Sequence, residues 1–134
     1  MSFELINPES LGRPRGYSNG VVTEPGGRLL FIAGQIAWND HQQIVSDDFV
    51  AQFDQALTNV LTVVEAAGAS ASDVARLVIY VTDKGEYKAR TGELGDCWRS
   101  KMGTHYPAMV LVEVKGLLED EAKVEIEGIA VVKE

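Results

Sequence analysis

The fold of this chain is decided by the stretch Lys123-Val124-Glu125-Ile126-Glu127-Gly128-Ile129-Ala130-Val131-Val132. The stretch is rich in β-branched residues and alternates with a period of two, which predicts a β-strand. One face of this strand is entirely apolar. The other face starts with Glu125 and Glu127 and continues with Ile129 and Val131. Two interpretations fit that mixed face: it passes from solvent into the core, or it places a carboxylate at the mouth of a cleft.

A second predicted strand, residues 108–114, precedes this one. Its first face carries Ala108, Val110 and further valines, and its second face carries Met109, Leu111 and a glutamate. A polar connection with three successive acidic residues joins it to the last strand. This arrangement predicts that the two strands pair as antiparallel neighbours.

The rest of the chain alternates strand and helix signals. A Pro-Gly-Gly turn at residues 24–27 predicts a hairpin between residues 21–23 and 29–33. Apolar residues at helical spacing predict a helix over 48–67, and a strand follows at 74–81. A second helix is expected from a capping box at Asp83 to about Met102. The order predicts one α+β domain over residues 1–134, a single mixed sheet with two helices on one face.

The size of the predicted elements indicates an oligomer. Five or six strands make a sheet roughly 25 Å wide, and two helices cover about 20 Å, which is one face only. An uncovered apolar face of that size is unusual on a soluble monomer. We therefore expect several identical chains to pack against one another through that face. Its candidate residues are Leu29, Phe31, Met109, Leu111, Ile129 and Val131.

Composition and charge argue against several classes of partner. The 134 residues carry a formal net charge of −8, and the nearest approach to a basic run is Arg13 and Arg15, so we expect no nucleic-acid partner. The longest apolar run, 29–33, is too short to span a bilayer, so no membrane partner is expected. A single cysteine, Cys97, favours a reducing compartment. Because no basic-then-apolar leader is present, we expect a cytoplasmic protein.

The sequence also lacks the patterns of common cofactor sites. His41 and His105 have no partner at ligand spacing, so no metal is expected. No phosphate-binding loop and no dinucleotide glycine motif occurs, and no cofactor is expected. Cys97 lies on the inward stripe of its predicted helix and is interpreted as a core residue.

Seven short motifs, taken in order, are similar to those of one family, the Rid (YjgF) family of reactive-intermediate imine deaminases. The resemblance covers nearly the whole chain and rests on the joint order and spacing of the motifs. It implies a chorismate-mutase-like α+β fold and a homotrimer with small-molecule clefts between subunits, in agreement with the size argument. The motifs are Tyr17-Ser18-Asn19-Gly20, Ala33-Gly34-Gln35-Ile36, Glu65-Ala66-Ala67-Gly68-Ala69, Val81-Thr82-Asp83, Pro107-Ala108, Val112-Glu113-Val114 and Val124-Glu125-Ile126-Glu127.

The resemblance implies the residues of the cleft. Tyr17 would line the pocket, and the chain at Gly34 and Gln35, where a strand ends, would let a ligand approach. Glu127 would hold the attacking water as the catalytic residue. The family's carboxylate-binding arginine, directly after Pro-Ala, is replaced here by Met109.

This departure from the family pattern leaves the substrate carboxylate without a cation. Leaving one partner of a buried ion pair uncompensated costs about 3–5 kcal/mol. Leu111 stands where the family often has cysteine, so the cleft wall would be apolar. We expect poor deamination of 2-imino acids unless Arg15 or Arg13 enters the cleft from the preceding loop. The chain therefore resembles a divergent branch of the family.

Three functions follow from the resemblance. The first is an imine or enamine deaminase-like hydrolase of a small molecule at a trimer-interface cleft. The second is a non-catalytic small-molecule-binding trimer, which the replacement at Met109 favours. The third, the ribonuclease activity sometimes attached to this family, is disfavoured by the charge of −8.

Overall fold

Two layers make up the architecture in the computed structural model, which describes residues 3–133. Helices pack on one face of a four-stranded mixed sheet, and two short strands form a separate ribbon. The helices are α1 (Phe49–Ala66), α2 (Lys84–Ala89) and α3 (Thr91–Met102). The strands are β1 (Glu4–Ile6), β2 (Gly20–Val22), β3 (Arg28–Gln35), β4 (Val74–Val81), β5 (Ala108–Glu113) and β6 (Val124–Val132).

The sheet has the strand order β3-β6-β4-β5, with β6 antiparallel to both of its neighbours and β4 parallel to β5. The predicted pairing of β5 with β6 is therefore wrong, since β4 lies between them. The chain returns from β4 to β5 through α2 and α3, and such a crossover makes the two strands parallel. The connection 114–123 is then long enough to pass β4 and enter the centre of the sheet as β6.

The predicted hairpin is also wrong. β2 pairs with β1 in the separate antiparallel ribbon, with Leu5 opposite Val21, while β3 pairs with β6. Beside the ribbon, Asn7 accepts a hydrogen bond from the Asn19 backbone N–H through its Oδ1, at 2.7 Å. The three-residue strand β2 thus pairs with β1, which has the same length. The main sheet therefore has four strands, where five or six were expected.

Three helices are present in the described residues, where two were expected. α1 follows the predicted apolar spacing. It is capped by Asp48, whose carboxylate accepts from the Ala51 N–H at 3.0 Å, and it ends before Gly68, which has a φ of +86°. The second predicted helix is divided at Arg90, whose φ of −129° breaks the helical path. The Arg90 guanidinium binds Glu93 of α3 at 2.8 Å and Asp48 at 2.6 Å, and the second ion pair connects the break to the start of α1.

The core lies between the sheet and helices α1 and α3. The apolar face of β6, starting at Val124 and Ile126, is buried in it. Met109 and Leu111 pair with Leu77 and Ile79 of β4, so they face this helix layer, and their predicted place on the uncovered face is wrong. The residues of β5 alternate between two faces as predicted, but the face that carries Met109 and Leu111 is the one covered by helices. Which face is covered depends on the strand that lies beside β5.

No helix within residues 3–133 packs on the other face of the sheet, which we call the open face. Leu29 and Phe31 are 62% and 71% exposed there, and Val110 and Val112 of β5 add to the same surface. Ile129 is half-buried on this face. The predicted open-face residue Val131 pairs with Leu29 but is already buried within the chain.

Candidate functional site

The two glutamates of β6 lie side by side on the open face, and both are half-buried. The Tyr80 hydroxyl, from the neighbouring strand β4, donates a hydrogen bond to Glu127 Oε1. This bond, together with burial, raises the pKa of Tyr80 above its ordinary value of 10.0. Glu127, the predicted catalytic residue, is therefore an acceptor with a fixed donor.

Gly34 brings the other carboxylate against the backbone. It lies in a β-bulge between Ile32 and Gln35, where β3 gains one residue relative to β6. A Cβ at position 34 would overlap the carboxylate of Glu125, so the absence of a side chain at Gly34 lets this carboxylate lie against the backbone. Glu125, Glu127, Gly34 and Tyr80 form what we call the acidic half-site.

Gln35 does not belong to this half-site. Its Cα pairs with Ile126, whose side chain is buried on the helix side. The Gln35 amide Nε2 donates to the Ala33 carbonyl at 3.1 Å. The structure therefore separates Gln35 from the acids, although its neighbour Gly34 lies beside them.

Tyr17 lies at the other edge of the sheet. Its neighbour Ser18 forms a parallel bridge with Ala108 and fixes the segment, since the Ser18 Oγ donates to the Tyr106 carbonyl at 2.6 Å. Tyr17 is 39% exposed and, with Met109, lines a shallow depression of about 260 Å³. The resemblance-derived pair of Tyr17 and Met109 is thus brought together within one chain.

Met109 also lines a larger cavity of about 490 Å³ between α3 and β5, which we call the β5 cavity. Its wall includes Tyr87, Leu94 and Trp98, and Trp98 stacks on Tyr106 with ring centroids 5.8 Å apart. Arg15 and Arg99 stand at the same cavity. Leu111, predicted as part of an apolar cleft wall, packs instead against the core next to the cavity.

The acidic half-site and the β5 cavity do not meet in one chain. They lie on opposite faces of the sheet. The distance across the sheet from β6 to the Tyr17 segment is three strand spacings, roughly 14 Å. Because the sheet lies between them, a small molecule inside the β5 cavity does not reach Glu127 of the same copy. A site that uses both would need a second copy of the chain.

Sequence reasoning missed Glu125 and Tyr80 as members of the acidic half-site. Glu125 was visible as the partner of Glu127 on one strand face, because it lies two residues earlier. Tyr80 carried no such signal, since its contact depends on β4 lying beside β6. The aromatic wall of the β5 cavity was missed for the same reason.

Other reactive groups of residues 3–133 do not form a further centre. Burial raises the pKa of the Cys97 thiol, which makes it a poor nucleophile. Within that part of the chain, no three His, Cys, Asp or Glu side chains lie close enough together to hold a metal ion. None of the described helices combines the length and the apolar character that crossing a membrane requires.

Comparison with known proteins finds one family throughout. A family model described as endoribonuclease L-PSP matches residues 9–132. A RutC family protein of Pyrococcus horikoshii is 35% identical over 129 residues, 95% of this chain and 96% of that protein. A 2-iminobutanoate/2-iminopropanoate deaminase of Escherichia coli is 34% identical over 105 residues, 78% of this chain and 80% of that protein. The crystal structure of the Rid family protein YyfB from Yersinia pestis, of unknown function, superposes with a TM-score of 0.87 at 34% identity, covering 98% of this chain and all of that one.

Proposed function

This chain, which belongs to the endoribonuclease L-PSP family, is one that we propose hydrolyses an imine or enamine of a small molecule. Relatives in this family are also named RutC and Rid proteins. The observation that supports this most directly is the acidic half-site, two glutamates beside an exposed glycine backbone with a tyrosine hydroxyl on one of them. The Escherichia coli relative named as an imine deaminase supports the same reaction class.

The chemistry needs only water as a second reactant. One carboxylate of the half-site takes a proton from water as the water oxygen bonds to the imine carbon, giving a carbinolamine. This proton passes to the nitrogen, which has received the electron pair of the C=N π bond. The same carboxylate then transfers the hydroxyl proton of the carbinolamine to the amino nitrogen, the C–N bond breaks with its electron pair on nitrogen, and C=O forms as ammonia leaves. Glu127 is our first candidate for this base. Glu125, which lies against Gly34, is the second.

We propose that the complete site forms in a homotrimer. β5 is an edge strand, and the β5 cavity lies beside it. If the edge of one copy lies across the open face of the next, the acidic half-site of the second copy reaches Tyr17 and Met109 of the first. The exposed Leu29 and Phe31 supply apolar area for such contact.

The reaction is tested with imines made in situ by an amino-acid oxidase and trapped with semicarbazide, where a deaminase lowers the trapped fraction and releases ammonia. We expect Glu127→Gln or Glu125→Gln to slow hydrolysis by about 100-fold or more, because a positioned base contributes that much. Glu65→Gln makes the same charge change on an exposed position of α1 and should leave the rate unchanged.

The two variants also separate the two acids. A loss confined to Glu125→Gln would assign the base to Glu125 and leave Glu127 as a partner of Tyr80. If both variants hydrolyse the imine at the rate of the wild type, the proposed mechanism is contradicted.

A second candidate function is a trimer that binds a small molecule without converting it. Met109 favours this alternative, because the family's arginine at that position would supply the charge for a carboxylate. A ligand that co-purifies unchanged, with no ammonia released from a panel of imines, would support it. We do not propose RNA as a partner, since a chain with a formal charge of −8 repels a phosphate backbone.

A further inference from the structure

The β5 cavity has a charge opposite to that of the chain. The sequence contains 20 acidic residues against 12 lysines and arginines. The cavity wall nevertheless includes two arginines, Arg15 and Arg99, and within residues 3–133 no aspartate or glutamate lines it. A concave site with an excess of cations concentrates anions.

The two arginines differ in their availability. Arg99 is engaged, because its Nη2 lies 2.6 Å from Asp96 Oδ1 and its guanidinium folds over Gly95 of the same helix. For Arg15, no carboxylate within residues 3–133 lies at ion-pairing distance. Arg15 therefore keeps its five N–H donors for a ligand, and a guanidinium binds a carboxylate through two parallel hydrogen bonds.

Apart from Thr91 and two glycines, the remaining wall is formed by apolar and aromatic residues. Met109, Leu94 and Phe53 present aliphatic and ring carbon, and Tyr87 and Trp98 add two larger rings. A cavity of about 490 Å³ lies in the range of small-molecule sites. A cavity of this size and apolar lining would not be filled by a short polar acid alone.

We infer that Arg15 anchors the carboxylate of the substrate in place of the arginine missing at Met109, and that the substrate is a carboxylic acid with an aromatic or bulky apolar body. The carboxylate binds at Arg15, and the body packs between Met109 and the rings of the β5 cavity. The inference deepens the proposed function and rests on it only in one respect, that the C=N carbon must face the acidic half-site of another copy.

The inference is tested by binding alone, with two stable probes that differ only in charge. 3-Phenylpropanoate has the aromatic body and the carboxylate, and 3-phenylpropanamide has the same body without the charge. We expect isothermal titration calorimetry of the full chain to show the acid bound about tenfold or more tightly than the amide, the preference that a charge-assisted bidentate pair gives. Butanoate, which lacks the ring, should bind more weakly than 3-phenylpropanoate.

Arg15→Met should abolish the preference for the acid while the amide binds as before. Arg13→Met removes the same charge from the same loop at a position outside the cavity wall and should keep the preference. Circular dichroism and light scattering check that both variants keep the fold and assembly of the wild type.

Three results would overturn the inference: no binding of 3-phenylpropanoate by the wild type, equal affinity for acid and amide, or a preference that survives Arg15→Met. The outcome is independent of the reaction. If Arg15-dependent binding is found but no imine is hydrolysed, the proposed function fails and the binding inference stands. If imines are hydrolysed and Arg15→Met has no effect on binding, the reverse holds.

Discussion

At the scale of single residues, the bond between Tyr80 and Glu127 gives a pH prediction. The phenol donates to a carboxylate, and ionising the phenol would put two negative charges together, so the pKa of Tyr80 is raised above 10.0. We expect Glu127→Gln to lower the pKa of Tyr80, because a neutral amide removes the repulsion. Absorbance near 295 nm, followed from pH 8 to 13, reports tyrosine ionisation directly.

The assignment to Tyr80 is made with Tyr80→Phe, which should remove the latest-titrating of the tyrosine components. Glu65→Gln serves again as a matched change of charge away from the pair and should give the wild-type curve. A curve for Glu127→Gln that superposes on the wild type would show that the two groups do not interact in solution.

At this scale the resemblance names candidate residues but does not predict how they are grouped. Tyr17, Gly34 and Glu127 were identified from the resemblance, and the structure places Gly34 with the acids but Tyr17 with Met109. The separation depends on strand order, because each residue's face and neighbours follow from which strands are adjacent. Residue types alone contain no information on that order.

At the scale of elements, Gln52 joins α1 to the connection that leads into β6. Its side chain is fully buried, and Nε2 donates to the Ser46 carbonyl at 2.8 Å and to the Glu121 carbonyl at 3.0 Å. Its Oε1 accepts from the Lys123 N–H at 2.8 Å. One side chain thus satisfies three backbone groups from two connections.

Gln52→Leu should lower the free energy of unfolding by about 2–5 kcal/mol, because it removes three partly buried hydrogen bonds and places an apolar side chain against the three backbone groups that made them. Gln55→Leu is the matched control on the same helix, since Gln55 bonds only to Asn59 at 2.8 Å, and its effect should be smaller than about 1 kcal/mol. Urea unfolding at one fixed chain concentration measures both. Equal midpoints for the two variants would contradict this role of Gln52.

The elements themselves were largely predictable, and their connections were not. The spacing of apolar residues gave α1, β4, β5 and β6 because each buries one side against the core. The predicted hairpin and the predicted β5–β6 pair are wrong because these neighbours in sequence are not neighbours in the sheet. Arg90, at the break, forms an ion pair with Asp48, 42 residues earlier in the chain, and no local pattern predicts that contact.

At the scale of the whole molecule, one sheet face remains without a cover inside the chain. The widths of the predicted helices and sheet led us to expect one uncovered face, and the structure has one. The expected numbers of elements differ, since the described residues form a main sheet of four strands and three α-helices. Leu29 and Phe31 carry most of the exposed apolar surface at the β3 side, and Val110 and Val112 carry it at the β5 edge. A trimer that covers these residues would also join the two halves of the proposed site.

That assembly is tested by placing a charge on the open face. Phe31→Glu puts an unpaired carboxylate where a neighbouring sheet would pack, so we expect the variant to run at the mass of one chain in light scattering at micromolar concentration, while the wild type runs at three. Thr62→Glu adds the same charge on the outer side of α1 and should remain a trimer. Because the acidic half-site and the β5 cavity lie on opposite faces of one copy, imine hydrolysis should be lost together with the trimer. A wild type that is monomeric at these concentrations, or a monomeric Phe31→Glu that keeps full activity, would contradict a site shared between copies.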